Sequence, residues 1–233
     1  CNDEGLGFGA VMAVQKYFVK QSITAATKKN NRSPYQCRTP KNEELLVYDS
    51  LIAEYKVESF SDWHTVARLL AEGDIGFICR GKAELGPRAL GNRSIISRAD
   101  DREFHALINQ IKGRELWRPL APAVLSTDFE KYFSGYKNRY MLMTNKVISE
   151  KVPAITHYDN SARVQVVDDN QSNFYQLLTA CKSLESKMPA VIVNTSLNGP
   201  GKPIIDDLIE VFKLFEKSTA RFMVSEKYLI RKQ

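Results

Sequence analysis

Four short segments carry most of the side chains that could bind and activate an anion. In residues 81–98, GKAELGPRALGNRSIISR, three glycines and a proline interleave with Arg88, Asn92, Arg93 and Ser94. Turn backbone N–H groups, two guanidinium forks and small amide and hydroxyl groups can converge on one oxyanion, so the segment reads as an anion cradle. A solvated basic loop is the plainer alternative. In residues 111–125, IKGRELWRPLAPAVL, Lys112 and Arg114 end a helix and Arg118 stands before Pro119 and Pro122. The prolines discourage helix and predict a stiff, extended support under Arg118. Lys112 and Arg114 also fit as C-terminal cations favoured by the helix dipole.

The third segment, PAITHYDNSARVQVV over residues 153–167, runs from a polar loop into a strand whose alternation puts Arg163 and Gln165 on one face. His157 and Asp159 suggest a general base, or a hydrogen-bonded loop element. The fourth, AVIVNTSLNGPGKPII over residues 190–205, is an apolar strand running out into Asn194, Ser196 and Asn198. Ligands of open α/β sheets collect beyond the carboxyl ends of strands, although Asn and Ser there also serve turns. Gly5, Gly7 and Gly9 lack the preceding strand and the spacing of a dinucleotide fingerprint.

These segments need a scaffold, and the composition supplies one. The 233 residues are 43% hydrophobic and 26% charged, as in an ordinary globular chain rather than a disordered one. The net charge of +6 favours an anionic partner. No apolar run approaches the roughly 20 residues that cross a bilayer, so no membrane partner and a cytoplasmic setting are expected. The four cysteines form no C-x-x-C pair, which predicts reduced, structural thiols.

Helical spacing appears over 42–55, over 62–73 with Ser61 as cap, over 102–113 with Asp100 or Asp101 as cap, and over 171–187 and 206–218. Strands are predicted at 75–79, 120–125, 140–147, 162–167, 189–194, 221–224 and 228–231. Strands interleaved with helices indicate an α/β or α+β layer architecture. The basic, proline-punctuated stretch 21–42 reads as a linker between residues 1–20 and a domain over 43–233. Cys1 opens inside what reads as an element of structure, so a preceding segment is expected.

Taken in order, GKAELGPRALGNRSI, INQIKGRELWRPLAPAVL, PAITHYDNSARVQVV and NTSLNGPGKPI resemble the C-terminal domain of the antibiotic and nodulation-factor carbamoyltransferases. The resemblance covers most of residues 75–206. It implies a YrdC-like fold, an open twisted mixed sheet flanked by helices. It further implies that the domain binds carbamoyl phosphate and ATP with Mg and forms carbamoyl adenylate, which an N-terminal actin-like transferase domain uses to carbamoylate a hydroxyl of a small-molecule acceptor. On this basis Lys112, Arg118, Arg163 and Ser196 take carbamoyl phosphate and the reacting phosphate. Arg88, Asn92, Arg93, Ser94, Asn194 and Asn198 complete the pocket. CNDEGLGFGAV resembles the last segment of the N-terminal domain, so Asp3 corresponds to one ligand of an iron site whose histidines precede this segment. The sequence departs from the family at Ser97-Arg98-Ala99-Asp100, where an Asp-Pro turn is usual, and at Asn160-Ser161, where Gly-Thr is usual. Two other classes remain in view: a basic RNA-binding module and a non-catalytic nucleotide-sensing relative.

Overall fold

In the computed structural model of the chain, residues 55–233 are described, together with Val14, Tyr17, Tyr35, Cys37 and Thr39. Asp3, the glycine-rich opening, the boundaries at 20 and 42, and the helix expected over 42–54 lie outside the described residues. Tyr55, the last residue of that expected helix, instead opens a strand, β1 (Tyr55–Ser59), paired antiparallel with the last strand of the chain. Its ring packs against Phe212 and Phe215 with centroids 5.3 and 5.9 Å away, so tertiary burial overrides the helical spacing.

Helix α1 (Trp63–Ala71) follows, capped by Asp62 rather than Ser61: the Asp62 carboxylate accepts from the Thr65 N–H at 2.9 Å. Next come β2 (Gly76–Cys79), β3 (Arg93–Arg98) and α2 (Glu103–Ile111). The N-cap of α2 is Arg102, with no side-chain cap bond, rather than the expected Asp100 or Asp101; Asp101, one residue earlier, accepts from the Glu103 N–H at 2.8 Å. Then come β4 (Ala121–Leu125), the single turn α3 (Phe129–Tyr132), β5 (Phe133–Ser134), β6 (Asn145–Val147), β7 (Ser161–Ala162) and β8 (Gln165–Val167). The chain closes with α4 (Asn173–Lys182), β9 (Val191–Ser196), α5 (Leu208–Lys217), β10 (Phe222–Val224) and β11 (Tyr228–Lys232).

Eight strands form one mixed sheet in the order β1-β11-β10-β2-β3-β9-β4-β8, with β10–β2 and β4–β8 parallel and the other pairs antiparallel. Strands β5, β6 and β7 make a separate small sheet. Alternation along the strands feeds two cores. Phe77, Ile95, Val124, Val193 and Met223 pack with residues of α2 and α5. Ile78, Ile96, Ala123, Ile192 and Val224 pack on the other side with α1 and α4. The large sheet is thus covered on both faces. Burial pushes the thiols of Cys79 and Cys181 up to about 12, consistent with inert core cysteines.

Two departures from the sequence expectation bear on the site. The expected strand 162–167 is broken at Arg163-Val164, with its first part in the small sheet and its second at the edge of the large one. The cradle segment 81–98 does not remain loop to its end, because Arg93 starts β3, which lies between β2 and β9. Arg93 is fully buried there, with its guanidinium donating to the carbonyls of Gly81 and Asn92 at 3.0 and 2.9 Å and paired with Asp206 at 3.3 Å. A buried, paired arginine looks like a surface residue in the sequence, which is why the strand start was hidden.

Candidate active site

Lys112 leaves the end of α2 just before Gly113, whose φ of +54 ends the helix in the left-handed region. A side chain at Gly113 would place its Cβ 2.5 Å from Pro200, so the glycine also lets the 199–201 turn close against the helix end. Lys112 Nζ, almost wholly buried, donates to the Ser196 carbonyl at 2.5 Å and faces Ser196 Oγ at 3.1 Å, the Asn198 carbonyl at 3.4 Å and Asn198 Oδ1. Lys112, Arg114, Arg118, Ser196, Asn198 and the 199–201 turn wall a cleft of about 630 Å³. A smaller cavity of about 80 Å³ shares Arg114 and Ser196 with it and adds Arg88, Arg163 and Asn194. Five cations therefore surround adjoining spaces, and Glu115 is the single carboxylate among the two sets of walls.

The electrostatics are strained in one direction. Burial, then the neighbouring Arg114 charge, pulls Lys112 down to about 7. Burial, then Arg88 and Arg114, pulls Arg163 down to about 10. Burial and Arg118 lower Arg114 as well, with Glu115 opposing them. Positive groups held together without matching anions favour a negatively charged ligand, whose arrival would restore the proton affinity of each.

Residues outside the expected set position these groups. Asn109, fully buried on α2, accepts from Arg114 Nε at 2.6 Å and donates to the Arg118 carbonyl at 3.0 Å. It thus ties the helix to the following turn. Arg118 lies on a bend, not the extended support expected from the prolines: its N–H donates to the Glu115 carbonyl at 3.2 Å and its guanidinium pairs with the Glu115 carboxylate at 3.0 Å. The Arg118 side chain is 49% exposed at the cleft mouth, with its guanidinium carbon 5.8 Å from the Trp117 ring centroid.

Glu84 organises the glycine-rich loop. One carboxylate oxygen accepts from the N–H groups of Leu90, Asn92 and Arg93 at 2.7, 2.9 and 3.3 Å. Burial raises its proton affinity, and those backbone donors oppose the rise. The loop so formed presents the Ala89 and Leu90 carbonyls to the amides of Asn194 and Gln165. Tyr35, within the stretch read as a linker, bridges Glu84 and donates its hydroxyl to the Leu90 carbonyl at 3.0 Å.

Of the expected binding residues, the structure brings Lys112, Arg118, Ser196 and Asn198 to the cleft and Arg88, Arg163, Asn194 and Ser196 to the cavity. It does not bring Asn92, Arg93 or Ser94 to either wall. Asn92 donates to the Lys82 carbonyl at 2.8 Å and accepts from Asn173 at 2.7 Å, and Ser94 Oγ accepts from the Gly91 N–H at 3.2 Å. These groups, like Arg93, hold the loop and β3 in place. His157 and Asp159 lie 3.3 Å apart, and Asp159 also accepts from the Ser161 N–H and hydroxyl, so the pair is a loop element away from the cleft. Among the described residues no three His, Cys, Asp or Glu side chains gather as a metal site.

The chain superposes on solved structures. Full-length HypF in the phosphate- and nucleotide-bound form aligns with 77% of this chain and 22% of its own at a TM-score of 0.52 and 19% identity. P. abyssi Sua5 complexed with L-threonine aligns with 71% and 46% at a TM-score of 0.51 and 17% identity. The fold is YrdC-like. The sequence model described as Carbamoyltransferase C-terminus matches residues 67–232, and the chain belongs to that family. Nodulation protein U of Azorhizobium caulinodans is 40% identical over 61% of this chain and 26% of its own length. The 3'-hydroxymethylcephem-O-carbamoyltransferase of Streptomyces clavuligerus is 32% identical over 70% and 32%. The chain spans less than half the length of these curated relatives; for protein sll1178 of Synechocystis sp. the share is 42%. No helix among the described residues is long and apolar enough to cross a membrane.

Proposed function

We propose that the chain binds carbamoyl phosphate and ATP and forms carbamoyl adenylate, which then serves O-carbamoylation of a hydroxyl on a small-molecule acceptor. The observation that carries this reading is the set of five cations around one cleft and its side cavity, with Lys112, Arg114 and Arg163 lowered in proton affinity by burial and by other cations. Family membership and the carbamoyl-transfer name of the cephem relative support the carbamoyl group, and the phosphate- and nucleotide-bound HypF fold supports the other ligands.

Balance requires one water. Carbamoyl phosphate loses its phosphate by hydrolysis, and an oxygen of the resulting carbamate bonds to the α-phosphorus of ATP as pyrophosphate departs. Such chemistry needs fixed cations and in-line placement more than a strong base. In this reading Lys112 and Arg118 take phosphate oxygens in the cleft, Ser196 and Asn198 orient Lys112, and Arg163 with Arg88 holds the reacting group in the cavity. Magnesium would come in as the nucleotide's counterion, and as a hard cation it would supply charge neutralisation at the phosphate oxygens. Were an N-terminal transferase domain to hold an iron ion, Asp3 would supply one of its ligands by the family resemblance, and the metal would serve the transfer step.

The test is pyrophosphate release from ATP by the chain with magnesium, with and without carbamoyl phosphate. Release that depends on carbamoyl phosphate and is lost in Lys112→Met is expected. Unchanged background release from folded protein that binds ATP would count against the proposal.

A further inference from the structure

We infer that Asn194 selects a ligand bearing an N–H, so that the small cavity takes the carbamoyl group as a primary amide and rejects its acetyl isostere. The inference rests on the functional reading above and adds the atom that discriminates. Asn194 is 1% exposed. Its Nδ2 donates to the Ala89 carbonyl at 2.9 Å and to Gln165 Oε1 at 2.8 Å, while Gln165 Nε2 donates to the Leu90 carbonyl at 2.9 Å.

Backbone carbonyls only accept, so each amide must turn its nitrogen toward its carbonyl, and the orientation of both side chains follows. Asn194 Oδ1 is thereby held as a buried acceptor, and it has no partner among the described residues. Arg163 Nε, from another wall of the same cavity, is a buried donor in the same condition.

One missing donor and one missing acceptor describe the ligand. A carbamoyl group offers a carbonyl oxygen for Arg163 and an N–H for Asn194. The cavity, about 80 Å³, has room for two or three groups of water size, since water occupies about 30 Å³ in the liquid. An acetyl group fills the same space but leaves Asn194 Oδ1 unpaired, and a carboxylate would face it with a second acceptor. A buried acceptor that loses its partner on binding is costly, and sites built around such hydrogen bonds discriminate more sharply than apolar pockets.

The full chain is titrated calorimetrically with carbamoyl phosphate, acetyl phosphate and inorganic phosphate. The wild type is expected to prefer carbamoyl over acetyl phosphate by about ten- to hundredfold. In Asn194→Ala the ratio of carbamoyl to acetyl phosphate affinity should fall to near one, whatever common change the lost Ala89 and Gln165 contacts impose on all three anions. If that variant does not fold, Asn194→Val, which fills more of the side-chain volume and carries neither donor nor acceptor, takes its place. Equal wild-type affinity for the two acyl phosphates overturns this inference and leaves the anion site standing, as does a preference that survives folded Asn194 variants. Failure of all three anions to bind overturns the functional reading and this inference with it.

Discussion

Sulfate stays dianionic between pH 7 and 9, so its binding to the cleft isolates the protonation state of Lys112. Without a ligand, burial and Arg114 hold this lysine at about 7, far below the usual 10.5. The oxygens of Ser196 and Asn198 favour the ammonium, which offers three donors, but burial outweighs them. At pH 8 about one-tenth of the free protein carries the charge, and at pH 9 about one-hundredth. If the anion binds the ammonium form, affinity falls toward tenfold per unit above pH 7, about fiftyfold or about 2 kcal/mol between pH 7 and pH 9. Each binding event near pH 8 should also take up close to one proton, read by calorimetry in two buffers of different ionisation enthalpy. The window lies above the reference pKa of imidazole and below those of phenol and guanidinium. Lys112→Met should bind more weakly at pH 7 and show little slope. A flat wild-type profile, or the same slope in Lys112→Met, would refute the assignment. The sign for stability is opposite: between about pH 7 and 10.5 the unfolded chain holds a proton that the folded chain lacks, so the unliganded fold gains stability as pH rises.

Two further substitutions probe the supports of the site. Glu84→Ala removes the acceptor for three backbone N–H groups and should cost about 3 kcal/mol, a Tm fall of about 6 to 12 °C, whereas Glu84→Gln keeps an acceptor oxygen and should recover most of it; equal Tm losses would deny the loop-holding role. Gly113→Ala strains a left-handed residue and pushes on Pro200, so denaturant unfolding should show a loss of about 1 to 2 kcal/mol together with weaker sulfate binding; unchanged binding would show that the 199–201 wall is not coupled to the helix end.

Periodicity made α2, α4, α5 and β2 legible, because their buried faces follow from local sequence alone. Strand β3 was harder to read, since a charged residue begins it and its partner Asp206 is 113 positions away. The broken strand at Arg163-Val164 was equally hidden: alternation continues through the break, while the two halves join different sheets. At the site, the sequence displayed a set of donors without showing which of them the protein itself consumes. Asn92, Arg93 and Ser94 share a motif with Arg88, yet their bonds close the loop and only Arg88 reaches the cavity. Glu84 and Asn109 carried a weak signal, a lone acid inside a glycine-rich basic loop and one of two neighbouring amides, Asn109 and Gln110, on a helix, and polar residues at such places ordinarily face water.

Their burial matters because the support and the site form one hydrogen-bonded chain. Glu84 gathers the N–H groups of residues 90, 92 and 93, the gathered loop presents the carbonyls of residues 89 and 90, and those carbonyls orient Gln165 and Asn194. Binding selectivity at Asn194 therefore depends on a carboxylate that is not a wall of the cavity. The dense motif around Arg88 is then mainly a device for holding amides still, and on the proposed reading the ligand meets the few groups whose bonding capacity the fold leaves open.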